Sequence, residues 1–164
     1  MPVSLQRIAE QDTSHQCDAK RLCNELAKGD PWQRLGVTGD RLTNSVLQSC
    51  DDCEAYFVRS GEDSVGVVKL RAPWLYGLYI EVFGLLAANR GAGVGARALV
   101  EIETLARDHN RKNVWLCVSG FNTRAQQFYR QNGFLEIGEL SGLIVPHEDE
   151  ILMRKRIDSG SDQD

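Results

Sequence analysis

The stretch from Asn89 to Ala98 reads NRGAGVGARA and places a glycine at every second position from 91 to 95. It follows the apolar run YIEVFGLLAA and precedes residues that recur at helical spacing. The unpaired N–H groups of a first helical turn and the positive end of the helix dipole favour an anion there. Glycine removes the side chains that would keep a phosphate away from the backbone. The stretch therefore predicts a phosphate-binding loop at the start of a helix.

Three kinds of phosphate-binding loop are alternative interpretations of these glycines. A nucleoside-triphosphate loop requires Lys followed by Ser or Thr after its last glycine, and this chain has no such pair there. A dinucleotide loop, G-x-G-x-x-[GA], is matched by Gly91, Gly93 and Ala96 between a strand and a helix. That loop also expects an acidic residue at the end of the next strand, where this chain reads VSGF. Too few residues follow for the rest of a doubly wound sheet, so a nicotinamide dinucleotide is the less favoured ligand.

The third kind fits best. Residues 90–95 match R-x-x-G-x-G, and through this motif the chain resembles the GNAT superfamily of acyl-CoA-dependent N-acyltransferases. A second motif of that superfamily, NxxAxxFYxxxGF, follows at 122–134, and EILMRKRI resembles its last strand. The resemblance covers nearly the whole chain and implies acetyl-CoA as co-substrate, with no metal. The implied cofactor-binding residues are Phe83, Leu85, Arg90, Gly91, Gly93, Val94, Gly95, Ala96 and Asn122.

The resemblance also implies two catalytic side chains. Tyr129 occupies the position of the family tyrosine that protonates the departing thiolate of coenzyme A. Glu81 lies on the strand before the glycine loop, where a family glutamate often accepts a proton from the amine or holds it. Strand alternation puts Glu81 on the same face of the strand as Phe83 and Leu85. Gly84 is expected to weaken the hydrogen-bond ladder of this strand, and the nearby Leu85 N–H is then expected to bond the thioester carbonyl. The alternatives are a core tyrosine at 129 and a solvated or salt-bridged strand carboxylate at 81.

Hydrophobic periodicity predicts a mixed, α+β-like α/β fold, with a mostly antiparallel sheet and helices on both faces. A parallel strand–helix–strand unit is expected at 76–118, and the charged residues 147–150 read as a loop before the last strand. That loop offers a second base or is simply solvated. One GNAT-type domain is expected at 1–157, followed by an acidic disordered tail at 158–164. Strands are expected at 3–8, 55–59, 64–70, 76–86, 113–118, 135–140 and 150–157, and helices at 16–28, 42–49, 94–109 and 122–131.

Composition and charge limit the kinds of partner and the cellular location that we expect. A net charge of −4 argues against nucleic acid, and no apolar run is long enough to span a membrane. The first residues lack the pattern of a signal peptide, so we expect a cytoplasmic protein with five reduced cysteines. Cys50 and Cys53 form a C-x-x-C without the further ligands of a zinc site or the setting of a redox pair, which indicates incidental thiols.

The acceptor is less constrained than the acyl donor. Because neither a basic groove nor a peptide-binding pattern is recognisable, the sequence favours a small-molecule amine over a protein N-terminus or a lysine side chain. A non-catalytic acyl-CoA-binding sensor is a further alternative, against which the pair Tyr129 and Glu81 argues. Dimers are common in the superfamily, so the resemblance also allows a homodimer.

Overall fold

The computed structural model describes residues 1–157, so the predicted tail at 158–164 lies outside the described residues. Within that range the chain forms seven strands and four α-helices, with a 3-10 turn at Ala87–Asn89. The strands are β1 (Val3–Arg7), β2 (Cys53–Ser60), β3 (Asp63–Trp74), β4 (Gly77–Leu85), β5 (Asn113–Ser119), β6 (Leu135–Ser141) and β7 (Asp149–Arg156). The helices are α1 (Thr13–Leu26), α2 (Gly39–Leu47), α3 (Val94–Asp108) and α4 (Thr123–Gln131).

The strands form one mixed sheet in the order β1-β2-β3-β4-β5-β7-β6. β4 and β5 are parallel, with Gly77 opposite Asn113 and Ile80 opposite Leu116. β1 is antiparallel to β2, and β7 is antiparallel to both β5 and β6. The predicted fold class and its parallel strand–helix–strand unit are therefore confirmed, and the element boundaries shift by a few residues at most. The predicted domain boundary at residue 157 stays a prediction.

The described chain divides into two compact units. The first comprises Met1–Leu70 and Glu81–Ala98, and it contains a core formed by one face of α1, one face of α2 and the strands beneath them. Leu22, Leu26 and Val46 are among its most buried side chains. Each helix begins at a side-chain cap, Asp12 for α1 and Thr38 for α2, whose oxygen accepts hydrogen bonds from the first turn.

The second unit comprises Arg71–Ile80 and the residues from Leu99 onward. Most residues of β5 are buried, as expected for a strand with neighbours on both sides, and Ile151 and Met153 of β7 are buried beside it. Lys155 of β7 donates to Glu103 of α3 across 2.6 Å, and both side chains are largely buried. This ion pair attaches the crossover helix to the sheet within the unit.

The cysteine prediction is wrong for one pair. Cys50 and Cys53 are joined by a disulfide, with their Cα atoms 5.3 Å apart. The N–H of Cys53 bonds the carbonyl of Cys50 across 3.2 Å, and this turn brings the two side chains together. Cys17, Cys23 and Cys117 are free thiols, as expected. Sequence spacing allowed the pairing but could not show that the backbone turns there.

Glu150, which the sequence placed where a charged loop meets the last strand, lies on β7 and is only 2% exposed. The hydroxyl of Ser119, its neighbour on β5, donates to Glu150 Oε1 at 2.7 Å. Gln126 of α4 donates in turn to the carbonyl oxygens of Ser119 and Gly120. This network joins β5, β7 and α4 just where α4 begins.

Burial raises the pKa of Glu150, and the Glu148 carboxylate adds to the rise while the Ser119 hydrogen bond opposes it. A carboxyl whose pKa is higher in the folded than in the unfolded protein costs stability once it ionises. That cost is absent below the unfolded pKa of about 4.3 and complete above the raised folded pKa.

We therefore expect Glu150→Gln to gain stability relative to the wild type as pH rises above about 4.3. Urea unfolding of both proteins between about pH 4 and pH 8 measures the difference in the free energy of unfolding. Glu139→Gln, which removes an exposed carboxylate from β6, is the matched control and should change less with pH. Parallel stability curves for the wild type and Glu150→Gln would contradict this assignment.

Candidate active site

Alternation along β4 separates two sets of side chains. Leu78, Ile80 and Val82 are buried, and the intervening residues up to Leu85 are half-buried. Glu81 and Phe83 belong to the half-buried set with Leu85, as the strand period requires. The predicted common face of these three residues is therefore consistent with the burial pattern.

Close packing explains the glycine in this strand. A Cβ on Gly84 would lie 2.7 Å from Trp32 Cη2 and 2.8 Å from Leu26 Cδ1. Trp32 is partly buried against the core of the first unit. On the neighbouring strand a Cβ at Gly66 would lie 2.3 Å from the carbonyl oxygen of Gly84. The backbone of β4 thus approaches β3 too closely for a side chain at Gly66, and the packed side chains of Trp32 and Leu26 exclude one at Gly84.

The glycine loop has the backbone conformation that its composition predicts. Gly91 and Gly93 have φ angles of 84° and 75°, in the left-handed region that favours glycine. A Cβ at Gly91 would meet nothing within 4 Å, so conformation and not crowding requires glycine there. Both residues are exposed, and α3 begins directly after them at Val94. The loop is open on its outer side, where a ligand can approach the backbone.

Several positive groups converge on this loop. The first N–H of α3 to bond a helical carbonyl is that of Arg97, which bonds the carbonyl of Gly93 at 3.1 Å. The N–H groups of Val94, Gly95 and Ala96 precede it and have no helical acceptor four residues back. Arg90 Nε donates to the Leu85 carbonyl at 2.9 Å, and Arg97 Nη2 donates to that of Ala92 at 3.1 Å. Both guanidinium groups are thereby held beside the loop, where they add full charges to the helix dipole.

The second motif begins at a helix cap. Asn122 Oδ1 accepts from the N–H of Ala125 at 3.2 Å, as an N-cap side chain should. The helix that follows, α4, ends at Gln131. The predicted capping role of Asn122 is confirmed, and its proposed contact with the cofactor stays a prediction.

The spacing between Tyr129 and the end of this motif reflects how α4 stops. Gly133 has a φ of 86°, and its N–H bonds the carbonyl of Arg130. The N–H of Phe134 bonds the carbonyl of Tyr129 at 3.0 Å, which completes a Schellman motif. The rings of Tyr129 and Phe134 pack with their centroids 5.6 Å apart. The helix stop therefore fixes the tyrosine ring in place.

Tyr129 is only 9% exposed, and this burial raises the pKa of its hydroxyl. The phenol consequently keeps its proton throughout the neutral range. It can act as a proton or hydrogen-bond donor at any physiological pH.

The structure groups the predicted site residues by unit. Glu81, Phe83, Leu85 and the loop residues 90–96 lie in the first unit, and Asn122 and Tyr129 lie in the second. Sequence reasoning missed the buried pair Ser119 and Glu150. Strand alternation at the start of β7 was the signal that could have found it.

Within residues 1–157, no group of three or more His, Cys, Asp or Glu side chains is arranged to hold a metal ion. In the same range, no helix has both the length and the apolar character needed to cross a membrane.

Comparisons with known proteins identify this architecture. The chain is similar in fold to an acetyltransferase from Thermus thermophilus, with a TM-score of 0.75 and 15% identity over 95% of this chain and 97% of that one. The ribosomal-protein-S18-alanine N-acetyltransferase from Escherichia coli gives a TM-score of 0.71 at 14% identity, over 99% of both chains. An aminoglycoside 6'-N-acetyltransferase complexed with coenzyme A gives 0.72 at 13% identity, over 96% of this chain and 98% of that one.

At these identities the structural matches show the fold alone, and the search of curated proteins found no match. The family model for the acetyltransferase (GNAT) family matches residues 20–134, which include the glycine loop and the tyrosine motif. The chain therefore belongs to the GNAT acetyltransferase family.

Proposed function

We propose that this protein transfers an acetyl group from acetyl-CoA to the amine of a small molecule. The observation that carries the proposal is the loop at residues 90–95, which combines two left-handed glycines, an exposed arginine and the first N–H groups of α3. A pyrophosphate is the group that such a loop accommodates best, because it takes up several N–H donors and two positive charges at once. The structural relative complexed with coenzyme A supports this choice of ligand.

The close approach of β4 to β3 supports the proposed oxyanion donor. The Gly84 carbonyl lies against Gly66 and the Leu85 carbonyl accepts from Arg90, and these two contacts position the backbone around Leu85. We assign the Leu85 N–H to the thioester carbonyl. Such a donor strengthens as the tetrahedral oxyanion forms and contributes about 3 kcal/mol where single donors have been removed.

Glu81 is the proposed base. An amine with a pKa near 10.4 must lose its proton before it attacks, which at pH 7 costs about 4.6 kcal/mol. A carboxylate two strand periods from Leu85, on the same half-buried face, could receive that proton directly or through a water. Glu150 offers a second carboxylate, but its hydrogen bond to Ser119 and its burial favour a structural role.

Tyr129 is the proposed acid. When the tetrahedral intermediate collapses, the C–S bond breaks and the electron pair remains on the sulfur of coenzyme A. The phenol of Tyr129, which keeps its proton at neutral pH, donates it to that sulfur. The product is an amide, and coenzyme A leaves as the thiol.

A small-molecule acceptor is favoured because the sequence shows neither a basic groove nor a peptide-binding pattern, and the net charge of −4 suits any cationic amine. The fold relatives include both an aminoglycoside acetyltransferase and a ribosomal-protein acetyltransferase, so an N-terminal or lysine amine is the second candidate acceptor. A non-catalytic acyl-CoA sensor is the third alternative. It would bind acetyl-CoA but release no free coenzyme A with any amine. A homodimer and a cytoplasmic location stay predictions.

Replacing Tyr129 tests the acid. Tyr129→Phe keeps the ring contacts with Phe128 and Phe134 and removes only the hydroxyl. We expect kcat to fall about 100-fold, the usual scale for a lost acid, with the Kd for acetyl-CoA nearly unchanged. The rate at which free coenzyme A thiol is released at saturating substrate gives kcat, and calorimetry gives the Kd for acetyl-CoA. Tyr56→Phe, which removes the hydroxyl of another buried tyrosine, is the matched control and should keep full activity. Full activity in Tyr129→Phe would remove it from the reaction.

Replacing Glu81 tests the base. In Glu81→Gln the attacking amine depends on its own ionisation, so the rise of kcat/KM with pH should move toward higher pH. The pH profile of kcat/KM, measured with one amine from about pH 6 to pH 10, reports the shift. The same profile for Glu150→Gln should match the wild type if that carboxyl is structural. A profile of Glu81→Gln that coincides with the wild type would show that Glu81 does not accept the proton.

A further inference from the structure

A cavity of about 540 Å³ lies in the first unit, lined by residues of α1, β1 and β2. Its volume falls within the range of small-molecule sites, about 300 to 1,000 Å³. Its lining includes Arg21, Arg59, Asp18, His15 and Phe57. None of the residues proposed for acetyl transfer lines it, so it requires an explanation of its own.

The charges around this cavity do not cancel. Arg21 donates to Asp18 Oδ1 through Nε at 3.0 Å and through Nη2 at 2.6 Å, which pairs one cation with the one anion. Arg59 hydrogen-bonds two neutral groups, the Ser64 hydroxyl at 2.7 Å and the Glu62 carbonyl. Although burial acts to raise the pKa of Asp18, the charge of Arg59 joins that of Arg21 in lowering it. The lining therefore carries one positive charge in excess. A guanidinium has five N–H donors, so the bonds of Arg59 leave donors for a ligand.

His15 contributes a neutral donor. Its Nδ1 accepts from the N–H of Ala9 at 3.0 Å, which places the proton of the neutral ring on Nε2. The ring also packs edge-on against Phe57, with the centroids 5.4 Å apart and the planes at 86°. Phe57 is only 1% exposed, so the aromatic surface offered to the cavity is the half-buried His15 ring, which also carries the N–H donor.

From these features we infer that the cavity binds a small organic monoanion, a carboxylate attached to a planar apolar group. A carboxylate matches the fork of a guanidinium, and its single charge balances the excess of one. A phosphate group carries about −1.5 to −2 at pH 7 and would exceed that balance. The half-buried His15 ring, held edge-on against the buried Phe57, accepts the apolar body.

Cys17 offers a reporter within the wild-type protein. It lines the cavity and is an exposed free thiol, whereas Cys23 is buried and Cys117 is half-buried. Iodoacetamide, which is uncharged, should alkylate Cys17 several-fold more slowly in saturating benzoate than without it. Benzamide, the neutral analogue of benzoate, should give no protection. Peptide mass spectrometry measures the rate at Cys17 alone.

Calorimetry with benzoate then tests the charge. The Kd should rise about tenfold or more in Arg59→Gln, the scale of one charge-assisted hydrogen bond, and stay unchanged in Arg41→Gln, which replaces an exposed arginine of α2. Equal protection by benzamide, an equal Kd in Arg59→Gln, or tighter binding of inorganic phosphate than of benzoate would overturn the inference. The alkylation result stands whether or not Arg59→Gln folds, because it uses the unaltered chain.

Discussion

The parallel pairing of β4 with β5 is the constraint on which the arrangement of the loop depends. Parallel neighbours cannot be joined by a tight turn, so the chain leaves β4 at its carboxyl end and returns through α3. The glycine loop consequently lies between a strand end and a helix start, where unpaired N–H groups are unavoidable. The arginines at 90 and 97, which bond the carbonyls of Leu85 and Ala92, stiffen this junction. A fold rule thus places these N–H groups together, and the local sequence supplies the glycines and arginines of the proposed pyrophosphate site.

Much of this could be predicted from the sequence, because the decisive signals are local. Glycine at positions of left-handed φ, Asn122 at a helix cap and Gly133 at a helix stop each act within a few residues of chain. The four helices and seven strands of residues 1–157 follow the expected order for the same reason. The Schellman stop adds a physical meaning to the tyrosine motif. The number of residues between Tyr129 and Phe134 in the motif is the number that this helix stop needs to bring their rings into contact.

Features that depend on distant residues could not be predicted in this way. The ring of Trp32 packs where Gly84 lacks a side chain, and these two residues are remote in sequence. Glu150 was expected where a charged loop meets the last strand, and its burial depends on its register with Ser119 on β5. The Cys50–Cys53 disulfide required the backbone turn that joins them. The charged cavity beside α1 assembles three elements, and no motif marks it.

The most direct test of the account is a thermal-shift comparison of acetyl-CoA, coenzyme A, NAD and ATP, each at saturating concentration. A ligand at 100 times its Kd adds about 2.7 kcal/mol to the free energy of unfolding, which raises Tm by several degrees in a chain of this size. The account predicts stabilisation by acetyl-CoA and coenzyme A alone. Stabilisation by NAD without a response to either coenzyme A species would contradict it, because the glycine loop would then hold a dinucleotide.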